Sequence, residues 1–392
     1  MRSRKFLVRA GAVVATAAAA VAAVTVGVQD REASVATVGA KTETESASAA
    51  RAGAALKDGL AKVRAEQKLP GVIGMVRNGG STQYAAAGYG DMFRRVPADP
   101  KAKVRIGSNT KAFVATVLLQ LEAEGRLSMD DTVDKWLPGL VAANGNDGRK
   151  ITIRQLLNHT SGLPEYVNDL WISGTYLVDI NPYRRWDPRA LVKTATARKS
   201  LSEPGTKFFY SNTNYVLAGL VIQAATGRHP AAEVSDRIIK PLGLTDTTFP
   251  ESDPKLYGNW LHGYFTIRDI SFSNVQVFGA AGAMVSTQED LADFTRALAS
   301  GRLLPPKQQQ EIQQVVSEES PYGLGVVVSK TRCGPAWSHN GAVLGYFSQW
   351  YTSPDGKQQA VVATNRYNMI TTESELAVKK TAVDAYCSLK GQ

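Results

Sequence analysis

The chain is predicted to adopt an α+β fold: one antiparallel sheet flanked by N- and C-terminal helices, an all-α subdomain, and an active site at their junction. Three observations predict it. Strand-like segments cluster near both ends of the body of the chain, the stretch of about residues 112–261 is mostly helical, Pro-punctuated and loop-rich, and helical patterns bracket the strands.

The first residues differ in kind from the rest. Arg2, Arg4, Lys5 and Arg9 precede a run from Gly11 to Val28 built only of Gly, Ala, Val and Thr. A basic n-region before an apolar h-region is the layout of a secretory signal peptide, assigned here to residues 1–29, with the cut between Ala20 and Ala40. The rival reading is a membrane anchor, since the run is about as long as the shortest spanning helices. A signal implies a secreted, extracellular protein. Residues 30–50, rich in Ala, Ser, Thr and Glu without large apolar side chains, read as a disordered linker. Residues 51–390 then form the catalytic domain, its α/β part about 51–111 and 262–390 and its helical part about 112–261.

Within that domain, Ala52 to Gln67 is expected to be helical, with Ala55, Leu56, Leu60 and Val63 on one face and Pro70-Gly71 as the stop. Val72–Val76 and Thr82–Ala87 flank Asn78-Gly79-Gly80 and read as a hairpin. Later strands are expected at Gly323–Ser329, Ala336–His339, Tyr346–Tyr351 and Gln359–Thr364, with a turn at Ser353-Pro-Asp-Gly356. A last helix, Glu373–Ser388, turns Leu376, Ala377, Ala382 and Tyr386 towards the sheet.

Composition narrows the function. The chain is 44% hydrophobic and 20% charged, ordinary for a globular protein. Residues 1–28 carry four basic and no acidic residues, so without them the formal charge falls from +10 to +6. No Lys/Arg run interleaved with aromatics is present in the body, which argues against nucleic acid as a partner. His159, His229, His262 and His339 are scattered without an HExxH or CxxC spacing, so no metal and no cofactor is expected. Cys333 and Cys387 are an even pair in an exported chain, which points to a disulfide, two buried thiols being the alternative.

Three segments could carry chemistry. Ser108-Asn109-Thr110-Lys111 opens the segment Ala112–Glu124, apolar almost all the way round and therefore a buried helix. The three-residue spacing puts hydroxyl and amine on one face, and desolvation would lower the Lys pKa until a neutral amine could take the serine proton. Ser252-Asp-Pro-Lys255 has the same spacing but leads into no apolar helix. Tyr210-Ser211-Asn212 precedes the apolar run Val216–Ala225; a Tyr near a Lys ammonium, shifted towards phenolate, could shuttle a proton, and the Asn amide could bond substrate and Lys. Tyr166-Val-Asn168 and Tyr257-Gly-Asn259 share that spacing and read as loop turns. In Trp337-Ser-His-Asn-Gly-Ala342, a cationic or hydrogen-bonding His339 stands beside a Gly that admits close backbone approach, and the Ala342 N–H could join that of Ser108 as an oxyanion hole. Tyr166, Trp171 and Phe278 are aromatics for either pocket or core.

In this order the motifs resemble the penicillin-recognising serine hydrolases, whose signatures are Ser-x-x-Lys, Tyr-x-Asn and Lys/His-Thr-Gly. Leu156-Leu-Asn-His-Thr-Ser-Gly-Leu163 and Gly282-Ala-Met-Val-Ser-Thr287 look like further landmarks, and the resemblance covers Ala52 to Ser388. Within the superfamily the chain looks most like secreted actinomycete D-alanyl-D-alanine carboxypeptidases, relatives of class C β-lactamases. The resemblance implies a β-lactamase/transpeptidase-like fold and removal of the terminal D-Ala from peptidoglycan stem peptides through an acyl-serine, with penicillin as an acylating analogue. It implies Ser108 as nucleophile, Lys111 as its partner, Tyr210 as acid/base, and Asn212, His339, Asn340, Gly341 and Ala342 in substrate binding. A small peptide or β-lactam substrate, peptidoglycan as target and a monomeric state are the expectations that go with it. Two departures bear on carboxylate capture: Asn340 stands where Thr is usual, and Gly325–Ser329 holds no Arg, although Arg332 is nearby. The alternatives are an esterase, D-amino acid amidase or D-aminopeptidase of the same family, a class C-like β-lactamase, or a non-catalytic penicillin-binding envelope module.

Overall fold

The computed structural model describes residues 44–179, 181–368 and 372–391. The signal segment 1–29 and most of the linker lie outside the described residues. The first described element is a helix, α1, over 44–66. This corrects the linker: residues 44–50, expected to be disordered, form its first turns. Ser48 and Ala49 are buried, and the Ser48 hydroxyl donates to Leu389 O at 2.6 Å. Only small side chains fit that close contact with the chain's C-terminal end, so the segment has no large apolar pattern to read. Ala55 is exposed; Ala52, Leu56, Leu60 and Val63 form the buried stripe instead.

Strands β1 (Gly71–Asn78) and β2 (Ser81–Asp91) form the expected hairpin, Gly79 supplying the positive φ of its turn. A short β3 (Val96–Pro97), then β4 (Val327–Thr331), β5 (Gly334–Val343), β6 (Tyr346–Thr352) and β7 (Gln358–Thr364) complete one antiparallel sheet in the order β3-β2-β1-β7-β6-β5-β4. The two ends of the chain therefore meet at the β1–β7 pair, in register from Val72↔Thr364 to Asn78↔Gln358. Nearly all of β1 and β7 is buried because both sheet faces are covered, so these strands read as continuous apolar runs rather than alternating ones.

On one face, Val72, Val76, Ala360, Val362 and Phe347 pack with α1 and with the C-terminal helix α5 (Glu373–Ser388). On the other, Ile73, Met75, Val361 and Trp350 join the main core with helices α2 (Thr110–Ala123) and α4 (Gln288–Ala299), whose Phe113 and Phe294 rings stack at 3.6 Å. Helix α3 (Asn212–Thr226) is the centre of the helical subdomain, buried over its first ten residues save Asn212. Helix α5 spans Glu373–Ser388 as expected, but Leu376 is 60% exposed. Val378, Ala382, Ala385 and Tyr386 make its buried face, a stripe rotated by about half a turn from Leu376. No helix among the described residues is long and apolar enough to cross a membrane.

Cys333 and Cys387 are bonded, tying the β4–β5 turn to α5 across 54 residues of sequence. Loop closure of that length constrains the unfolded chain by about 2–4 kcal/mol. Replacing both cysteines with serine is expected to lower the thermal midpoint by several degrees while leaving catalysis near wild type. Calorimetry of the oxidised protein beside the double variant checks this, and equal midpoints would refute it.

Candidate active site

Strand β4 pairs with β5 only over Gly334–Ser338, so His339–Val343 is left without a strand neighbour on that edge. The turn Gly107–Asn109 fills the place of the missing neighbour. Gly341 is what allows the approach: a Cβ there would lie 1.7 Å from Ile106 O and 2.8 Å from Asn109 Nδ2. The glycine thus admits the nucleophile-bearing turn rather than the substrate, which corrects its expected role, and it does not line the cleft. Asn109 anchors the turn from below, donating to Ser348 Oγ (2.9 Å) and accepting from Trp350 Nε1 (3.1 Å). Gly107, at φ +52°, faces the backbone of Ala342: a Cβ on it would sit 2.6 Å from Ala342 N. Ala342 lines the same cleft as Ser108, so its N–H is the candidate to receive a developing oxyanion there.

Helix α2 begins directly after this turn and carries Lys111 into the interior, where it is fully buried. Its Nζ lies 3.0 Å from Ser108 Oγ, 2.8 Å from Asn212 Oδ1 and 2.7 Å from Ala281 O. The amide and carbonyl oxygens can only accept, so they take two N–H bonds. A neutral amine has just two hydrogens, and its lone pair is then left facing the Ser108 hydroxyl. Burial brings the Lys111 pKa down to about 7, opposed by the negative charge of Glu165. The amine that could act as base and the hydroxyl that could act as nucleophile are thus in contact, with the amine able to lose its proton near neutral pH.

Asn212, the first residue of α3, reaches Lys111 with its Oδ1 because its other end is held. Glu165 Oε2 accepts from the Asn212 backbone N–H (2.6 Å) and from Nδ2 (3.0 Å), and Oε1 accepts from Val167 N (3.1 Å). Tyr210 shares a hydrogen bond with Ser108, and its ring centroid is 4.9 Å from Lys111 Nζ. Its phenol is pushed up by burial, the bond to Ser108 acting the other way. This corrects the expected shift towards phenolate: 40% of Tyr210 is open to solvent, which softens that push but does not reverse its sign. Tyr210 is a proton donor in the resting site.

His339 also differs from a cationic reading. It is buried, its Nδ1 lies 2.6 Å from the Asn340 carbonyl and its Nε2 lies 2.8 Å from the Tyr322 hydroxyl. A carbonyl cannot donate, so Nδ1 carries the hydrogen and Nε2 accepts from Tyr322. Burial, helped by the Lys111 charge, brings its pKa down to about 3, so the ring is neutral.

Ser108, Tyr210, Asn212, His339, Asn340 and Ala342 line one cleft, with Phe278, Tyr322, Tyr367 and Glu375 on its other walls. Lys111 lies behind it. Tyr166 is core, its hydroxyl donating to Val277 O, and Trp171 is exposed beside Trp186. The Leu156–Leu163 landmark packs against Tyr210: His159 Nδ1 accepts from Ser211 N, and its ring lies 4.3 Å from that of Tyr210. Arg332 is bonded to Asp384 on α5 at 2.7 Å and does not line the cleft. Ser252 and Lys255, the second Ser-x-x-Lys match, lie on a loop with Lys255 exposed. Among the described residues no group of His, Cys, Asp and Glu is placed to hold a metal ion. Sequence reasoning missed Glu165, Ala281 and Tyr322. Glu165 follows the Leu156–Leu163 landmark by two residues, but nothing local to it signals a partner at Asn212.

The β-lactamase family model matches residues 12–382. Protein flp of Staphylococcus aureus (strain MW2) is 31% identical over 292 residues, 73% of this chain and 53% of that protein, so the chain spans about half the length of this relative. Penicillin-binding protein 4* of Bacillus subtilis (strain 168) is 26% identical over 340 residues, 80% of this chain and 71% of its own length. Among solved structures, a D-stereospecific amidohydrolase from Streptomyces sp. superposes with a TM-score of 0.77 at 37% identity, covering 83% of this chain and 98% of that one. The Ser108–Lys111 contact, the helical subdomain set on an antiparallel sheet and a family match running nearly end to end agree: the chain belongs to the β-lactamase family of penicillin-recognising serine hydrolases.

Proposed function

We propose that this hydrolase is a D-stereospecific amidohydrolase that cleaves amides and small peptides of D-amino acids through an acyl-enzyme on Ser108. The observation that carries the choice within the family is the charge of the cleft. Among the described residues lining it there is no Arg and no Lys, and its one charged side chain is Glu375, held by Lys379 and Tyr367. A carboxypeptidase acting on a C-terminal carboxylate needs a cation or a dense set of donors there. Here His339 is neutral and Arg332 is bonded to Asp384. A free amino group on the substrate suits an acid-lined wall better. The similarity to the Streptomyces amidohydrolase supports the same reading.

In the proposed cycle Lys111 takes the Ser108 proton as Oγ attacks the amide carbonyl, and the oxyanion sits between the N–H groups of Ser108 and Ala342. Tyr210 gives its phenolic proton to the leaving nitrogen, the C–N bond breaks, and the Lys111 ammonium restores the proton to Tyr210. Water then adds to the acyl-serine with Lys111 and Tyr210 in the reverse roles, releasing the D-amino acid and free Ser108. Asn212 bonds the substrate carbonyl with its second N–H. In the same proposal the activity lies outside the cell, a reading supported by the basic n-region and apolar run before residue 29.

The test is kcat/KM for D-phenylalanine amide beside an N-acylated peptide ending in D-Ala-D-Ala. The amide is expected to be preferred at least tenfold, with the L-amide inert. Faster release of D-Ala from the carboxylate-ended peptide would return the chain to the carboxypeptidases.

A further inference from the structure

We infer that Glu165 is the positioning residue of this catalytic apparatus: through Asn212 it fixes the acceptor that holds Lys111 Nζ, and its charge sets the proton balance of that amine.

The geometry gives Glu165 a choice to make. An Asn side chain can present either end to a neighbour, and only one end suits Lys111. With Nδ2 donating to Glu165 Oε2 at 3.0 Å, Oδ1 is turned to Nζ at 2.8 Å. The flipped amide would set its NH₂ against the amine and its oxygen against the carboxylate, losing both bonds. The Asn212 backbone N–H, bonded to the same oxygen at 2.6 Å, fixes where the side chain starts. Glu165 also caps the short turn Tyr166–Asn168 through Val167 N, so its carboxylate is held by three N–H donors. Burial pushes the Glu165 carboxyl up, and these three donors together with the Lys111 charge act against that push in favour of the ionised form.

The charge acts at Lys111 because its other neighbours are neutral at neutral pH. The Tyr210 and Tyr215 rings lie 4.9 and 5.4 Å from Nζ, with phenols pushed up by burial. Tyr166 and Tyr322 are pushed up likewise, and His159 and His339 are pushed down by burial and by the Lys111 charge. Among the described residues Glu165 is the one anion found to act on Lys111, and it favours the ammonium. Removing the charge should therefore lower the pH at which Lys111 becomes a base, while releasing Asn212 should slow the reaction at every pH. An ordinary structural cap predicts neither the direction nor the pairing of these effects.

The experiment uses an activated ester and a penicillin as acylating substrates, so it needs only acylation of Ser108 and stands apart from the preference for D-amides. Glu165→Gln keeps the shape and one acceptor. Its acid limb in kcat/KM is expected to move to lower pH, with the plateau reduced at least tenfold. Glu165→Asp keeps the charge but not the reach, so it should lose plateau rate with the limb unmoved. On an Asn212→Ala background, Glu165→Gln should shift the limb and lower the plateau less than twofold further. An unmoved limb in folded Glu165→Gln, or plateau losses that multiply in the double variant, overturns the inference. Should Glu165→Gln fail to fold, a wild-type plateau in Glu165→Asp overturns it equally.

Discussion

Ser108→Ala is expected to abolish the covalent adduct that a penicillin leaves on the protein and to lower kcat/KM for any acyl substrate by at least ~10⁴-fold. The size follows from what is lost. Ser108 Oγ, the proposed nucleophile, is in hydrogen-bond contact with a buried amine at 3.0 Å, and it lies on a turn held against the edge of β5 that β4 leaves unpaired. Alanine keeps the turn, the cleft and the Ala342 N–H, so binding survives while the route through an acyl intermediate does not. Intact mass after exposure to penicillin reads this directly. A mass increase on the wild type and none on the variant is the expected result. A variant that still labels would move the nucleophile elsewhere, and a wild type that neither labels nor hydrolyses the antibiotic would point to a pocket closed to β-lactams.

The second large effect is on pH. Burial brings Lys111 down to about 7 from the usual lysine value, so the amine is mostly protonated below that pH and mostly neutral above it. The ammonium has no lone pair to take the Ser108 proton. Acylation should therefore fall about tenfold per pH unit on the acid side of about 7 and level off above it. Lys111→Arg should remove this limb altogether and cost about 10²–10⁴-fold in rate, because a guanidinium stays charged throughout that range. Stopped-flow acylation between pH 5 and 8 measures both. A flat wild-type profile would remove Lys111 from the role of base. Tyr210 adds no acid limb of its own, since burial pushes its phenol up and away from this range.

Much of this architecture was legible in the residues. The Ser108–Lys111 spacing is a local fact of helix geometry, and the all-round apolarity of the following turns announced that the amine would be buried. The hairpin at Gly79, the last three strands, the last helix and the Cys333–Cys387 pair could be read the same way, because each depends on a short-range pattern or on a count, whereas the strand expected at Gly323–Ser329 forms over Val327–Thr331. Where periodicity was weak the reading slipped by a fraction of a turn: Ala55 and Leu376 were set on buried faces and lie on the outside. The opening turns of α1 were read as linker because Ser48 and Ala49 pack through small size rather than large apolar area.

What the chain alone could not decide is the protonation of its site. Lys111 gets its two fixed acceptors from residues 101 and 170 positions away, and Gly71 receives its Asn365 partner from 294 away. Tyr210 is a phenol and not a phenolate, and His339 is neutral and not cationic, because desolvation depends on which distant segments close over a side chain. The same holds for Glu165, whose partner at Asn212 is 47 residues on. Sequence determined which functional groups are present and which local faces they share; the tertiary fold decided their charges, because removal of water and the placing of hydrogen-bond partners are properties of segments brought together from far apart.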